Sequence, residues 1–178
     1  MKKNLVAYYS WQGNTKVVAE EISRLLESDI VRIEEIKERK NKEGMASAAM
    51  SALFGLQSRL KTIDLGLEGY DDIYLGGQVW AGHSTPAINS FIKKAELKNK
   101  NIYLFITKAE EKDPSKVINS ITERINKKGG KVVSTFCVTT KMNQVISPKE
   151  VEEQLKSWIE NLNSPQNQES ETSDEKNI

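Results

Sequence analysis

Six residues near the N-terminus, Ser10-Trp11-Gln12-Gly13-Asn14-Thr15, crowd hydroxyl and amide side chains around one glycine. They lead from an apolar stretch, residues 4–10, directly into a segment of helical period. N–H groups at a helix start point at whatever lies in front of them, and the helix dipole favours an anion there. Ser10, Asn14 and Thr15 would add side-chain donors to a phosphate, and Gly13 would let the backbone approach it closely. The same residues also suit an ordinary capped strand–helix turn. Neither GxxxxGK[ST] nor GxGxxG is present. Tyr8, Tyr9 and Ser10 at the end of the first strand provide no acid pair for magnesium, which disfavours a phospho-receiver domain.

A second chemistry-bearing run is Gly76-Gly77-Gln78-Val79-Trp80-Ala81-Gly82-His83-Ser84-Thr85-Pro86. An aromatic residue among small ones at the end of a buried strand suits stacking on a flat ring. Packing of Trp80 on the protein's own surface is the alternative use. His83, the one histidine, is either an exposed loop residue or a donor to a bound carbonyl. Cys137, the one cysteine, lies in an apolar strand and reads as packed and inert. His83 and Cys137 form no metal-ligand spacing. Tyr8 and Tyr9 are adjacent in a strand, so they face opposite sides and read as core.

Elements that alternate along the chain must position these residues. Apolar runs at 4–10, 30–33, 72–77, 101–107 and 131–138 read as five strands. Between them fall helical faces: Val18, Ile22 and Leu25 flanked by Val17 and Leu26; then Ile88, Phe91, Ile92 and Ala95 behind Pro86, with Ser84 or Thr85 as cap. Val117, Ile118, Ile121 and Ile125 follow an Asp113-Pro114 cap and stop at Gly129-Gly130. Ser147-Pro148-Lys149-Glu150 has the pattern of a capping box before Val151, Leu155, Trp158, Ile159 and Leu162. Near-continuously apolar strands alternating with helices predict a parallel sheet covered on both faces, an α/β three-layer doubly wound domain of five strands. In such sheets ligands bind outside the carboxyl ends of the strands, which puts both runs at one edge.

Composition agrees with this class and excludes others. The chain has 178 residues, 38% of them hydrophobic and about 44% apolar with its 10 glycines, as one globular domain requires. One cysteine cannot form an internal disulfide and fits a reducing compartment, and no apolar run approaches membrane-span length. A cytoplasmic protein without stable membrane insertion is expected. The net charge is +1, but residues 164–178 carry about −3 and leave the body near +4, too little for a nucleic-acid binder. The tail, apolar only at Ile178, is expected to be disordered, which leaves residues 1–163 as the domain. Between the second and third strands, residues 37–61 open with a basic run at 37–42. They continue with Met45, Ala49, Leu53, Leu56 and Leu60 on one helical face. That stretch reads as an extra helix over the sheet or as a docking flap.

Together, S-x-x-G-N-T after strand one and Y-D-x-I-Y-L-G-x-x-V-W-A-G-x-x-x-P after strand three resemble the flavodoxin family, in particular its short-chain members from bacteria and archaea. The resemblance spans residues 1 to about 160 and implies strand order 2-1-3-4-5 with FMN as cofactor. It implies that Ser10, Trp11, Gln12, Gly13, Asn14 and Thr15 surround the phosphate. Gln78, Val79, Trp80, Ala81, Gly82 and His83 would then line the isoalloxazine ring. The third loop, expected to hold Thr107, Lys108 and Ala109 near the flavin, departs from the family's glycine-rich turn: it continues Glu110-Glu111-Lys112-Asp113. Side-chain bulk there opposes the usual wrap of the ring. Lys108 would favour an anionic reduced flavin, and Glu110 and Glu111 would oppose it.

The resemblance implies a redox protein that carries electrons between partner proteins or reduces a small-molecule acceptor, as a monomer or homodimer. Electron-shuttling family members are usually strongly acidic, and this body is not, so field steering to a basic partner is not expected. A flavin-free binding or scaffold module on the same fold is the competing expectation, motivated by the third loop, the basic insertion and the acidic tail.

Overall fold

A computed structural model describes residues 3–36, 57–61, 67–109, 113–141 and 143–164. The basic run 37–42, residues 45–56 of the anticipated extra helix, Glu110 and Glu111, and the tail from residue 165 lie outside the described residues.

Five parallel strands form the sheet: β1 (Asn4–Tyr8), β2 (Asp29–Arg32), β3 (Asp72–Trp80), β5 (Asn101–Lys108) and β6 (Lys131–Thr139). They lie in the order β2-β1-β3-β5-β6, and the two-residue β4 (His83–Ser84) pairs antiparallel with the end of β3. Counting only parallel strands, this is the expected 2-1-3-4-5 order. β5 and β6 pair in parallel with one irregularity, at Ile102/Tyr103, where Ile102 faces Val132 and Tyr103 faces Ser134. Val133 is thus the extra residue of a bulge in the edge strand.

Helices cover both faces. α1 (Asn14–Leu26) and α4 (Pro148–Leu162) pack on one, where Val6, Tyr8, Ile22, Phe105 and Leu155 are buried together. α2 (Pro86–Lys94) and α3 (Ser115–Asn126) pack on the other with Tyr9, Leu75, Phe91, Leu104 and Ile121. Tyr8 and Tyr9 therefore do fall in separate cores, as strand alternation requires. Close packing across β3 and β5 depends on Gly76: a Cβ there would lie 2.0 Å from the Phe105 ring.

The helix starts follow local chemistry. Thr85 caps α2, its Oγ1 accepting from Ile88 N at 3.4 Å. At α3, Asp113 Oδ1 accepts from the Ser115 hydroxyl (2.6 Å) and N–H (3.0 Å), which holds its carboxyl below the usual range. At α4, Glu150 Oε2 accepts from Ser147 N (2.6 Å) and Ser147 Oγ (2.8 Å). The described end of the insertion is extended. Leu60, expected on a helical face, instead bridges Glu35 antiparallel, flanked by bonds from Ile36 N to Arg59 O and from Lys61 N to Glu34 O. Backbone pairing to the chain just beyond β2 overrides helical period at that position.

Candidate functional site

Three segments meet at the carboxyl edge of the sheet. The first follows β1. Gly13, at φ +103°, is the N-cap of α1, and its carbonyl accepts the first helical bond from Val17 N at 3.0 Å. The N–H groups of Asn14, Thr15 and Lys16 consequently precede any intrahelical acceptor and point out of the helix end. Ser10 Oγ accepts from Gly13 N at 3.1 Å and keeps its own proton to donate. Thr15, fully buried, shares a hydrogen bond with Thr107 (Oγ1 to Oγ1, 2.8 Å), which ties α1 to the end of β5. Only one hydroxyl proton is used in that contact, so the other can be donated elsewhere. The first turn of α1 contains no acid. Gln12 is exposed, and Trp11 is half-buried with its N–H donated to Gln78 Oε1 at 3.1 Å.

The Asn14 side chain is engaged by the fold at this helix start. Its Oδ1 accepts from Ile146 N (2.9 Å) and its Nδ2 donates to Gln144 O (3.2 Å), with the residue 8% exposed. The side chain thus fastens the loop before α4 to the start of α1. The same loop lays Val145 on Gly13, 3.4 Å from where a Cβ would be.

The second segment is a hairpin rather than an open loop. β3 continues to Trp80, turns through Ala81 (φ 47°) and Gly82 (φ 75°), and returns as His83 and Ser84. Two successive positive φ values are those of a tight hairpin turn matched to strand twist. Strand alternation then separates Val79 from Trp80. Trp80 meets Tyr9 and Trp11 edge-on, with ring centroids 6.0 and 6.2 Å apart. Behind this cluster the Tyr9 hydroxyl donates to Glu35 Oε2 at 2.7 Å, both residues nearly buried. His83 is half-buried.

The third segment, after β5, completes a cavity of about 400 Å³ whose walls include Val79, Ala81 and Gly82 on one side and Lys108, Ala109, Pro114, Lys116 and Val117 on the other. Thr140 N and Oγ1 both donate to Lys108 O (2.8 and 3.3 Å), which fixes the base of this wall. The cavity is apolar where Val79, Pro114 and Val117 face it and charged at Lys108, Lys116 and Asp113.

Of the residues singled out in sequence, the structure gathers Ser10, Gly13, Thr15 and Thr107 at the α1 start. It places Val79, Ala81, Gly82, Lys108 and Ala109 around the cavity. Gln78 joins the two parts through Trp11 N. Trp80 does not line the cavity; it packs on protein. Sequence reasoning missed Pro114, Lys116 and Val117 as walls, although the Asp113-Pro114 helix start, where the third loop ends, was the available signal. It also missed Glu35, Gln144 and Val145, for which no motif gave one. Cys137 is half-buried, and burial pushes its thiol up. Among the described residues no His, Cys, Asp and Glu cluster could hold a metal ion, and no helix is long and apolar enough to cross a membrane.

Comparison with known proteins agrees with this geometry. The flavodoxin family pattern matches residues 3–162, and the chain belongs to the flavodoxin family. Similar solved structures include a chain from Bacteroides eggerthii, 20% identical with a TM-score of 0.72, covering 92% of this chain and 99% of that one. A flavoprotein in complex with FMN from Lactobacillus acidophilus is 23% identical with a TM-score of 0.64, covering 77% and 93%. Oxidised flavodoxin 2 from Bacillus cereus is 17% identical with a TM-score of 0.56, covering 89% and 99%. No curated protein matches the sequence.

FMN is the cofactor that goes with this family, and the residues present fit it. An acid-free helix start with three outward N–H groups and two hydroxyls suits a phosphate dianion. A cavity with Val79, Pro114 and Val117 among its walls suits an apolar ring system.

Proposed function

We propose that this protein is an FMN-dependent redox protein that passes electrons to a partner protein or a small-molecule acceptor. The observation that supports it is the meeting, at one sheet edge, of the carboxylate-free α1 start with the cavity between the β3–β4 hairpin and the third loop. In this reading the phosphate takes the N–H groups of Asn14, Thr15 and Lys16 with the Ser10 and Thr15 hydroxyls. The ring enters the cavity, with Val79 and Val117 on its faces and the Ala81–Gly82 turn along one border. Trp80 braces the hairpin from behind.

Bound FMN supplies one- or two-electron chemistry that no side chain offers. The chain's part is to orient the ring, keep its buried portion dry and set the charge around it through Lys108, Lys116 and Asp113. Electron delivery needs no acid–base residue, and none is assigned. The lone cysteine fits a cytoplasmic setting.

The test reconstitutes the protein with FMN, reduces it chemically, and mixes it with a one-electron protein acceptor or with a quinone. The reading expects delivery to at least one acceptor faster than from free reduced FMN. Delivery no faster than from the free cofactor would overturn it.

A further inference from the structure

The end of the sheet opposite the flavin site carries a concentrated positive charge. α2 closes with Lys93 and Lys94, and α3 leads into Lys127 and Lys128. The connections that follow add Lys98, Lys100 and Lys131. Residues 93–100 and 123–131 hold eight cations against two acids, Glu96 and Glu123, and Glu123 is committed to Lys127 at 2.6 Å. These two connections form one surface. Lys128 Nζ donates to Lys93 O (3.2 Å), Asn99 N donates to Gly129 O (2.9 Å), and a Cβ at Gly129 would stand 3.4 Å from the Lys98 backbone. Lys93, Lys94 and Lys98 are exposed. One cation near each helix C-terminus answers the roughly half charge of its dipole; eight exceed that need. Outside these two connections the body has a balance near neutral.

α4 delivers the C-terminal segment to the same end. It starts at the carboxyl edge, where Ile146 is bonded to Asn14, and its 15 residues run back about 22 Å along the sheet. Trp158 Nε1 donates to Ser134 Oγ at 2.9 Å, which sets α4, one turn before its end, against β6 three residues past Lys131. Residues 165–178 follow, with Glu169, Glu171, Asp174 and Glu175 against one lysine, Lys176. Fourteen residues span at most about 48 Å, enough to pass the edge strand and cross the lysine surface.

We propose that this basic surface is a docking site for an acidic peptide segment, and that its resident occupant is the chain's own residues 165–178. Opposite charge brings the two together, and the tether keeps the local concentration high. Held there, the segment screens the lysines from other polyanions, and an acidic partner must displace it. The site is remote from the cavity, so docking leaves FMN binding untouched.

Backbone amide NMR of the full chain tests this, compared with a variant in which Glu169→Gln, Glu171→Gln, Asp174→Asn and Glu175→Gln are combined. At about 20 mM salt the expected differences beyond the tail are confined to residues 93–100 and 127–131. They vanish at about 0.5 M salt, where the screening length is only a few ångströms. They also vanish in a Lys94→Gln/Lys128→Gln double variant, and they are independent of protein concentration. No differences in these two connections, or differences centred on Lys108 and Lys116, would overturn the proposal. Concentration dependence would assign the docking to a second copy and overturn the intramolecular form.

Discussion

Ser10 and Thr15 offer the sharpest residue-level test because their hydroxyls face the α1 start. Alanine at both positions removes two charge-assisted bonds to a phosphate, worth about 1.5–3 kcal/mol each. FMN affinity should fall by about 10²-fold or more, while riboflavin, which has no phosphate, should bind as before. Thr15→Ala also breaks the contact with Thr107, so the FMN-to-riboflavin ratio in a fluorescence titration is the quantity to read. Gly76 tests packing instead. Its missing Cβ leaves room for the fully buried Phe105 ring, and Gly76→Ala should cost about 1–3 kcal/mol through overpacking. A lower urea midpoint would report it; an unchanged midpoint would contradict the packing described.

At the scale of elements, the β3–β4 hairpin and the helix starts carry predictions. Ala81 holds a left-handed conformation that costs an ordinary L-residue about 1–2 kcal/mol and that asparagine tolerates better. Ala81→Asn should therefore raise the thermal midpoint by about 2–4 °C per kcal/mol recovered in a chain of this size. At α4, the Ser147 N–H and hydroxyl hold the Glu150 carboxyl below its usual range. A depressed folded-state pKa contributes stability above the unfolded value, near ~4.3, and loses it as pH falls through the folded one. Thermal midpoints measured on acidification should thus decline less in Glu150→Gln than in the parent.

Much of this element plan was legible in the residues. Strand positions, the α1 start, the Thr85 cap and the Ser147–Glu150 pair all follow from short-range chemistry, and the structure has each of them. The β3 extension to Trp80 and the hairpin were not legible. Beyond residue 77 the run carries the loop signal Ala81-Gly82, and only pairing of Gln78 with β5 and of Val79 and Trp80 with β4 makes the segment a strand. Leu60 matched a helical period with Met45 to Leu56, yet tertiary pairing with Glu35 claims it. Asn14 shows the same limit at the site. A loop asparagine beside a helix start reads as a phosphate donor, and only the fold brings Gln144 and Ile146, about 130 residues away, to its side chain. Long-range partners of this kind have no signature within a window of sequence.

At the scale of the whole molecule, charge and cofactor define what the protein can meet. Its two ends differ: the carboxyl edge holds the candidate site, and the amino edge holds the lysine surface. A near-neutral total thus conceals a polar distribution, and binding of polyanions should strengthen when residues 165–178 are removed and weaken with salt. The central claim is that the carboxyl edge binds FMN through both its phosphate and its ring. It is tested most directly by titrating the purified, flavin-stripped protein with FMN and with riboflavin while following flavin fluorescence and visible absorption. FMN should bind tightly with its fluorescence quenched, and riboflavin much more weakly. A protein that stays colourless and leaves the fluorescence of both flavins unchanged would contradict it and favour a flavin-free binding module on the same fold.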